Sequence, residues 1–295
     1  MSKQFPIVAV TGSSGAGTTE VRKTFESIFK KLNITAAIVE GDSYHKYERD
    51  QMRQLADEWE RTAGRGISHF GPEANLFQEM EKLFKNYGEK GSGISRIYLH
   101  NEEKAAKFGQ KAGTFTPWMD IPSDTDLLFY EGLHGGVHYQ DNDMAKHVDL
   151  LIGVTPTINL EWIQKINRDI NFRGHSMESI INTILRRMDD YVYYIVPQFS
   201  KTHINFQRVP MVDTSNPFDE TTIPGEEESF IVIRFRKRVD TIEYQDLLDE
   251  IPGFMTRKDT IVVPGENGGE AMKIILTPRI QRLIQQSKNT FKNSL

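Results

Sequence analysis

The stretch "PIVAVTGSSGAGTTEVRKTFESIFKK", Pro6 to Lys31, decides the fold. Ile7 to Val10 form a short apolar run read as a strand. From about Thr19 to Lys31 the residues Val21, Phe25, Ile28 and Phe29 recur at helical spacing. Between strand and helix stand Gly12, Ser13, Ser14, Gly15, Ala16, Gly17, Thr18 and Thr19, which reproduce the spacing of the phosphate-binding pattern GxxxxGK[ST] with one exception. Thr18 occupies the lysine position. In a strand–loop–helix setting the glycines let the backbone wrap an anion, successive N–H groups form a nest, and the helix N-terminus adds partial positive charge. Thr19 falls where the motif's hydroxyl coordinates Mg²⁺. If nucleotide binds here, cations from elsewhere must neutralise the γ-phosphate; a plain Gly/Ser-rich turn is the other reading of the loop.

Outward from this stretch the chain alternates. "AAIVEGD" (Ala36–Asp42) completes a βαβ unit, and further strand candidates are "RIYLH", "LLFYEG", "DLLIGV", "VPMVDT", "FIVIRFR" and "TIVVPG". Helical patterns lie near Pro72–Asn86, Ile158–Phe172, Met177–Ile195 and Gly269–Gln285, while "GEKGSGIS" (Gly88–Ser95) reads as a surface loop. Such alternation predicts an α/β fold with a mixed, largely parallel sheet flanked by helices. No repeat, low-complexity segment or linker divides the 295 residues, so one domain over 1–295 is expected.

Composition narrows the function. With 38% hydrophobic residues the chain can bury a substantial core, and a formal net charge of −5 gives no basic footprint for nucleic acid. A small anionic ligand fits better. No apolar stretch approaches the ~20 residues of a membrane span, and the N-terminus enters a strand without a leader-like segment, so no membrane association and a cytoplasmic location are expected. The absence of cysteine excludes disulfides, thiolate metal sites and thiol switching.

Three further segments carry chemistry. In "EGDSYHKYERDQMR" (Glu40–Arg53), Asp42 and His45 stand at the carboxyl end of a strand, where open α/β sheets bind ligands, and Lys46, Arg49 and Arg53 add charge for an anionic substrate. A carboxylate there can take a proton from an attacking hydroxyl; an exposed charged loop with Asp42 capping a turn is the bland alternative. "DTDLLFYEGLHGG" (Asp124–Gly136) is an apolar run ending in Glu131, a candidate Mg²⁺ ligand, with His134 following in a Gly-flanked loop as a candidate substrate contact. Either residue can equally be an ordinary surface group. In "NLEWIQKINRDINFRG" (Asn159–Gly174), Ile163, Ile166 and Ile170 make an apolar stripe, with Lys165, Arg168 and Asp169 clustered roughly opposite. That charged face, like Arg186 and Arg187 in the next helix, is by ordinary expectation solvated.

Taken together, "GSSGAGT", "EGDSYH", "SHFGPEAN", "LLFYEGLHG", "NLEWIQK", "RGHS", "PQFS", "INFQRVP", "VDTSNPF" and "IVVPG" resemble the bacterial form of the phosphoribulokinase family, from about Phe5 to Ser287. The resemblance implies a P-loop nucleoside triphosphate hydrolase fold like that of adenylate and uridine kinases. It implies transfer of the γ-phosphoryl of ATP to O1 of ribulose 5-phosphate, with Mg²⁺, giving ribulose 1,5-bisphosphate and ADP. The family's phosphate loop also lacks the usual lysine. Position by position, the resemblance implies that Asp42 is the base and that Glu131 and Asp169 are acidic active-site or Mg²⁺ partners. It likewise implies that Lys165 and Arg168 neutralise the transferring phosphoryl, that His45, Arg49, His100 and Arg173 hold the sugar phosphate, and that Arg186 and Arg187 lie near the active site or subunit contacts. Arg53 stands where the family carries lysine. The family's bacterial members are octamers activated by NADH and inhibited by AMP, which implies a homo-oligomer here; Arg234 and Arg257 match the positions linked to that control only loosely.

Two other readings stay open: a kinase of the same fold with another acceptor, such as a different sugar phosphate or a nucleoside, and a regulatory nucleotide-binding protein without turnover.

Overall fold

β1 (Ile7–Gly12) is buried along its whole length, which is why it reads as an unbroken apolar run. The structure, a computed structural model, describes residues 4–12, 18–63, 66–174, 176–219, 222–236 and 241–292; the side chains of Thr18, Thr19 and Arg173 lie outside that description. After β1 come α1 (Thr18–Leu32), β2 (Ala36–Glu40), α2 (Arg49–Ala63), α3 (Phe77–Lys90), β3 (Ile94–Ser95), α4 (Glu102–Ala106), β4 (Met119–Asp120) and β5 (Leu127–Gly132). β6 (His138–Tyr139), β7 (Asn142–Asp143), β8 (Leu150–Pro156), α5 (Ile158–Arg173), α6 (Met177–Arg186), α7 (Met188–Asp190) and β9 (Ile204–Pro210) follow. The chain then adds β10 (Ser229–Phe235), α8 (Thr241–Glu250), β11 (Phe254–Arg257), β12 (Thr260–Pro264) and α9 (Gly268–Lys292).

Eight strands form one sheet in the order β11-β12-β10-β9-β8-β1-β5-β2. β2, β5, β1, β8 and β9 are parallel, whereas β10, β12 and β11 continue the sheet antiparallel. The mixed, largely parallel α/β architecture expected from the sequence is therefore the observed one. Apolar layers cover both faces. On one, Phe25 and Phe29 of α1 pack against Phe129 with ring centroids 4.4 and 5.5 Å away, joined by Ile275 and Leu276 of α9. On the other, Met80, Leu83 and Phe84 of α3 meet Ile7, Ala9, Leu128 and Tyr130. The edge strands lose this double cover: β2 exposes Ile38, and β11 is exposed throughout. Among the described residues no helix is long and apolar enough to cross a membrane.

Several sequence expectations need correction. "RIYLH" is no sheet strand; Arg96–His100 runs through a lobe outside the sheet, where Tyr98 makes a single bridge to Phe115 and Leu99 N–H donates to Thr114 O at 2.9 Å. Its β-forming residues are satisfied locally. The strand assigned to "VPMVDT" lies upstream, with Ile204 and Phe206 in the core and residues 211–214 irregular. The helix expected from Pro72 starts at Phe77, after a 3₁₀ turn at Pro72–Ala74. Gly88–Lys90 close α3 rather than open a loop, and Gly91, at φ 66°, takes the left-handed C-cap that glycine tolerates. The helix expected over Met177–Ile195 breaks at Arg187 and resumes as α7 and a π-helical turn, Tyr191–Ile195. α2 and α8 have no counterpart in the sequence reading, although Met52, Leu55, Ala56 and Trp59 of α2 and Tyr244, Leu247 and Leu248 of α8 recur at helical spacing and pack into apolar clusters.

Candidate active site

The parallel strands β2, β5 and β1 end side by side, and the groups that carry charge follow those ends. β2 passes into a tight 3₁₀ turn, Gly41–Tyr44. Glycine is required there: a Cβ on Gly41 would stand 2.6 Å from Tyr130 Oη and 2.9 Å from Gly132 Cα. The turn presents Asp42. His45 Nε2 lies 3.1 Å from Asp42 Oδ1, and His100 Nε2 lies 3.5 Å from Asp42 Oδ2. Burial disfavours the Asp42 carboxylate, but the charge and hydrogen bond of His45, with His100 and His69 behind it, outweigh burial and hold the carboxyl well below the usual carboxylate range. Burial pushes His100 down, against the pull of Asp42. Arg49, first residue of α2, donates from Nη2 to His100 O at 2.7 Å and lies 6.0 Å from the Tyr98 ring centroid. Asp42, His45, Arg49 and His100 are thus brought together. Arg53, one turn further along α2, is not: its side chain is 67% exposed and only 4.0 Å from Asp50.

β5 brings Glu131 into register with Val10 of β1 and Glu40 of β2. Burial raises the Glu131 carboxyl to about 7; Arg22 opposes this, while the neighbouring Glu40 and Asp42 charges add to it. A carboxylate with only Arg22 set against it among the described residues, beside the strand that feeds the phosphate loop, fits a divalent cation. Mg²⁺ needs one or two carboxylates and completes its shell with phosphates and water. No cage of three or more metal-ligating side chains occurs among the described residues. Glu40 itself is engaged by Arg22 at 2.9 Å and Lys104 at 3.0 Å. His134 is buried and donates from Nε2 to Phe70 O at 3.0 Å; burial pushes it down to about 3, so it ties two loops together as a neutral ring.

α5 departs from the stripe expected of it. Leu160, Ile163, Ile166 and Asp169 are buried, a row at spacing three, whereas Ile170 is 38% exposed. The row drifts around the helix and carries the charged cluster inward. Asp169, 3% exposed, is paired with Lys165 Nζ through Oδ2 and with Arg168 Nε through Oδ1 at 3.1 Å. Burial and the nearby Arg187 charge lower Lys165 to about 8, against the pull of Asp169. Both Asp169 oxygens accept from cations in this arrangement, so its foremost role here is to orient them. Arg187 lies 5.7 Å from the Phe70 ring centroid, and its charge acts on both His69 and Lys165, linking the Asp42 side to α5. The stem of Arg186 packs on Gly66, where a Cβ would meet its Cγ at 2.0 Å. Arg173 ends α5.

Of the phosphate loop, Gly12 ends β1 where a Cβ would come 2.3 Å from Val154 O. Ser13, Ser14, Gly15, Ala16 and Gly17 lie outside the described residues, and Thr18 and Thr19 open α1.

The sequence reading missed Arg96, His69, Asn75 and Asp190. Arg96 donates to Ser43 O at 2.9 Å and to His45 O at 2.5 Å, with its guanidinium 3.6 Å from the Phe115 centroid and 4.7 Å from Trp118. It clamps the turn that carries Asp42. His69 stacks on His45 at 4.0 Å, and Asp190 accepts from Ser68 Oγ at 2.7 Å. Only the aromatic–basic composition of 96–118 signalled such a clamp.

Residues 7–215 match the family described as Phosphoribulokinase / Uridine kinase family. The chain is 55% identical to "Phosphoribulokinase, chromosomal" of Cupriavidus necator over 289 residues, 98% of this chain and 99% of that one. It is 53% identical, with the same coverage, to a "Probable phosphoribulokinase" of Escherichia coli. The solved structure of a phosphoribulokinase from Rhodobacter spheroides superposes with a TM-score of 0.90 at 47% identity, covering 97% of this chain and 100% of that one.

Proposed function

Because the chain belongs to the phosphoribulokinase/uridine kinase family, we infer that the cluster at the ends of β2, β5 and α5 is the site where it transfers a phosphoryl group. The protein is a kinase, a phosphotransferase with an alcohol acceptor, that phosphorylates ribulose 5-phosphate with ATP. We take the 295 residues as one kinase domain and place the new ester on O1, giving ribulose 1,5-bisphosphate and ADP. One observation carries the assignment of the acceptor side: the Asp42 carboxyl, at the carboxyl end of β2, is flanked by His45, His100 and Arg49.

In this reading Asp42 accepts the hydrogen of the attacking hydroxyl while His45, Arg49, His100 and Arg173 bind the sugar phosphate, with Arg186 and Arg187 at the border of the cleft. Arg is suited to a phosphate dianion because its planar fork donates two hydrogen bonds at once. The exposure of Arg53 favours an outer, steering role. Residues 12–19 cradle the nucleotide phosphates, and Lys165 and Arg168, oriented by Asp169, supply the charge that Thr18 does not. Thr19 and Glu131 would hold Mg²⁺, which when bound neutralises charge on the β- and γ-phosphates. His134 contributes by fixing the Phe70 loop. A cytoplasmic homo-oligomer is the setting we propose, an octamer by the family resemblance; exposed Leu185 at the end of α6 and Val192 and Tyr193 on the π-helical turn beyond it favour self-association.

ADP release measured with ATP, Mg²⁺ and a panel of pentose phosphates and nucleosides tests the activity; ribulose 5-phosphate is expected to have the highest kcat/KM, and a preference for a nucleoside would overturn the acceptor assignment. Arg49→Ala should raise the KM for ribulose 5-phosphate about tenfold or more, since a hydrogen bond to a charged group is worth about 1.5–3 kcal/mol, and leave the KM for ATP within about twofold. Equal losses for both substrates would place Arg49 elsewhere. Chelating Mg²⁺ should abolish turnover, and Glu131→Gln should raise the Mg²⁺ concentration needed for half-maximal rate about tenfold or more, since even an outer-shell partner of a metal site is worth about 10–100-fold in affinity. An unchanged Mg²⁺ requirement would remove Glu131 from the metal site.

A further inference from the structure

Behind the Asp42–His45 pair stands a buried amide with no surface role. Asn75, 8% exposed, directs Nδ2 at two backbone carbonyls, His69 O at 2.9 Å and Gly71 O at 2.6 Å. Carbonyl oxygens only accept, so the group facing them is the NH₂ and the group facing His45 is the amide oxygen. That oxygen lies 2.9 Å from His45 Nδ1. Nδ1 must therefore carry a hydrogen. On the other side of the ring, Nε2 lies 3.1 Å from Asp42 Oδ1. An ionised carboxylate also only accepts, so Nε2 must carry a hydrogen as well. A neutral imidazole has one N–H and can serve only one of these two acceptors; both are served only when the ring is protonated.

We infer that Asn75 is a positioning residue that fixes His45 as an imidazolium, so that the acceptor site presents a permanent cation to the sugar phosphate next to an ionised Asp42. This rests on the assignment of the acceptor site given above. The surroundings leave the charge on this ring. His69, stacked on His45 at 4.0 Å, is held well below its ordinary range by burial and by the charges of His45 and Arg187. His134 is neutral. Tyr98 meets the ring edge at 6.3 Å, and His100 takes the second Asp42 oxygen at 3.5 Å. A charge 7% exposed requires partners on both sides, and Asn75 and Asp42 are those partners. If Asn75 is removed, a neutral His45 with its hydrogen on Nε2 becomes an acceptable state, because Asp42 still receives its hydrogen bond.

The test uses the full chain labelled with ¹⁵N-histidine. At pH 8 the His45 signals, identified by their absence in His45→Asn, should show both ring nitrogens protonated; one unprotonated nitrogen would overturn the inference. No substrate is needed, so this result is independent of whether ribulose 5-phosphate is the acceptor. Kinetics give a second readout. Asn75→Leu, compared with the parent at each pH, should raise the KM for ribulose 5-phosphate about tenfold at pH 8, the weight of one lost charge-assisted contact. The ratio should return toward one at pH 6, where the ring regains its proton, with the KM for ATP unchanged. A ratio independent of pH would mean that Asn75 only supports the loop, and would overturn the inference. Should Asn75→Leu not fold, the spectrum of the parent decides alone.

Discussion

Asp42→Asn is expected to fold, to bind ATP normally and to lose about 10²–10⁴ of turnover, the range that base catalysis commands. Folding should survive because the Asp42 side chain is 37% exposed and its turn is held independently, by Arg96 on the carbonyls of Ser43 and His45. The asparagine keeps an oxygen for His45 but presents an NH₂ where the hydroxyl hydrogen must be received. His45 holds the Asp42 carboxyl far below the usual range, so Asp42 is a weak acceptor that stays ionised at neutral pH. Such a group suits a loose phosphoryl-transfer transition state, in which the hydroxyl gives up its proton late and orientation matters more than basicity. A depressed carboxyl stays ionised until the pH falls below its folded value, so Asp42 should contribute no acid limb to kcat above about pH 5, a bound taken from its unperturbed range. A variant retaining more than half the parent kcat would remove Asp42 from the base role.

Lys165→Met should lower kcat by about 10²–10³, the worth of one electrostatic stabiliser, with little change in the KM for ATP. That split marks an interaction made chiefly in the transition state. Burial and Arg187 lower Lys165 to about 8. Its charge is therefore present below that pH and lost above it, so kcat should decline on the alkaline side through a limb near 8, which Lys165→Arg would move upward. Thr18→Ala should cost much less, because backbone N–H groups and Thr19 are expected to hold the nucleotide. If Thr18→Ala proves more damaging, or Lys165→Met leaves kcat intact, the phosphoryl cation lies elsewhere.

Residues differ in how openly the sequence displays them. The strands β1, β5 and β8 announce themselves because helices cover both faces of the sheet and leave continuous apolar runs. Glu131 is legible because it ends such a run, and Asp42 because it follows the shorter apolar run of the edge strand β2. The cluster on α5 is legible as a set of charges but not as a direction: only the drift of the buried row from Ile163 to Asp169 turns Lys165 inward, and Ile170, apolar yet exposed, points the periodicity the wrong way. Arg96 and Asn75 were beyond reach for another reason. Their partners, Phe115 and Trp118 for one and His45 and His69 for the other, are set by loops that cross outside the sheet, where neither period nor propensity fixes what meets what.

If this cleft joins the γ-phosphoryl of ATP to O1 of ribulose 5-phosphate, the new bond is visible in the product. The most direct measurement is NMR of the product formed from ribulose 5-phosphate labelled with ¹³C at C1, using ATP and Mg²⁺. One new phosphate ester is expected, coupled to the labelled carbon and formed in step with ADP. ADP formed without that coupling, or a new phosphate ester on any carbon other than C1, would contradict transfer to O1.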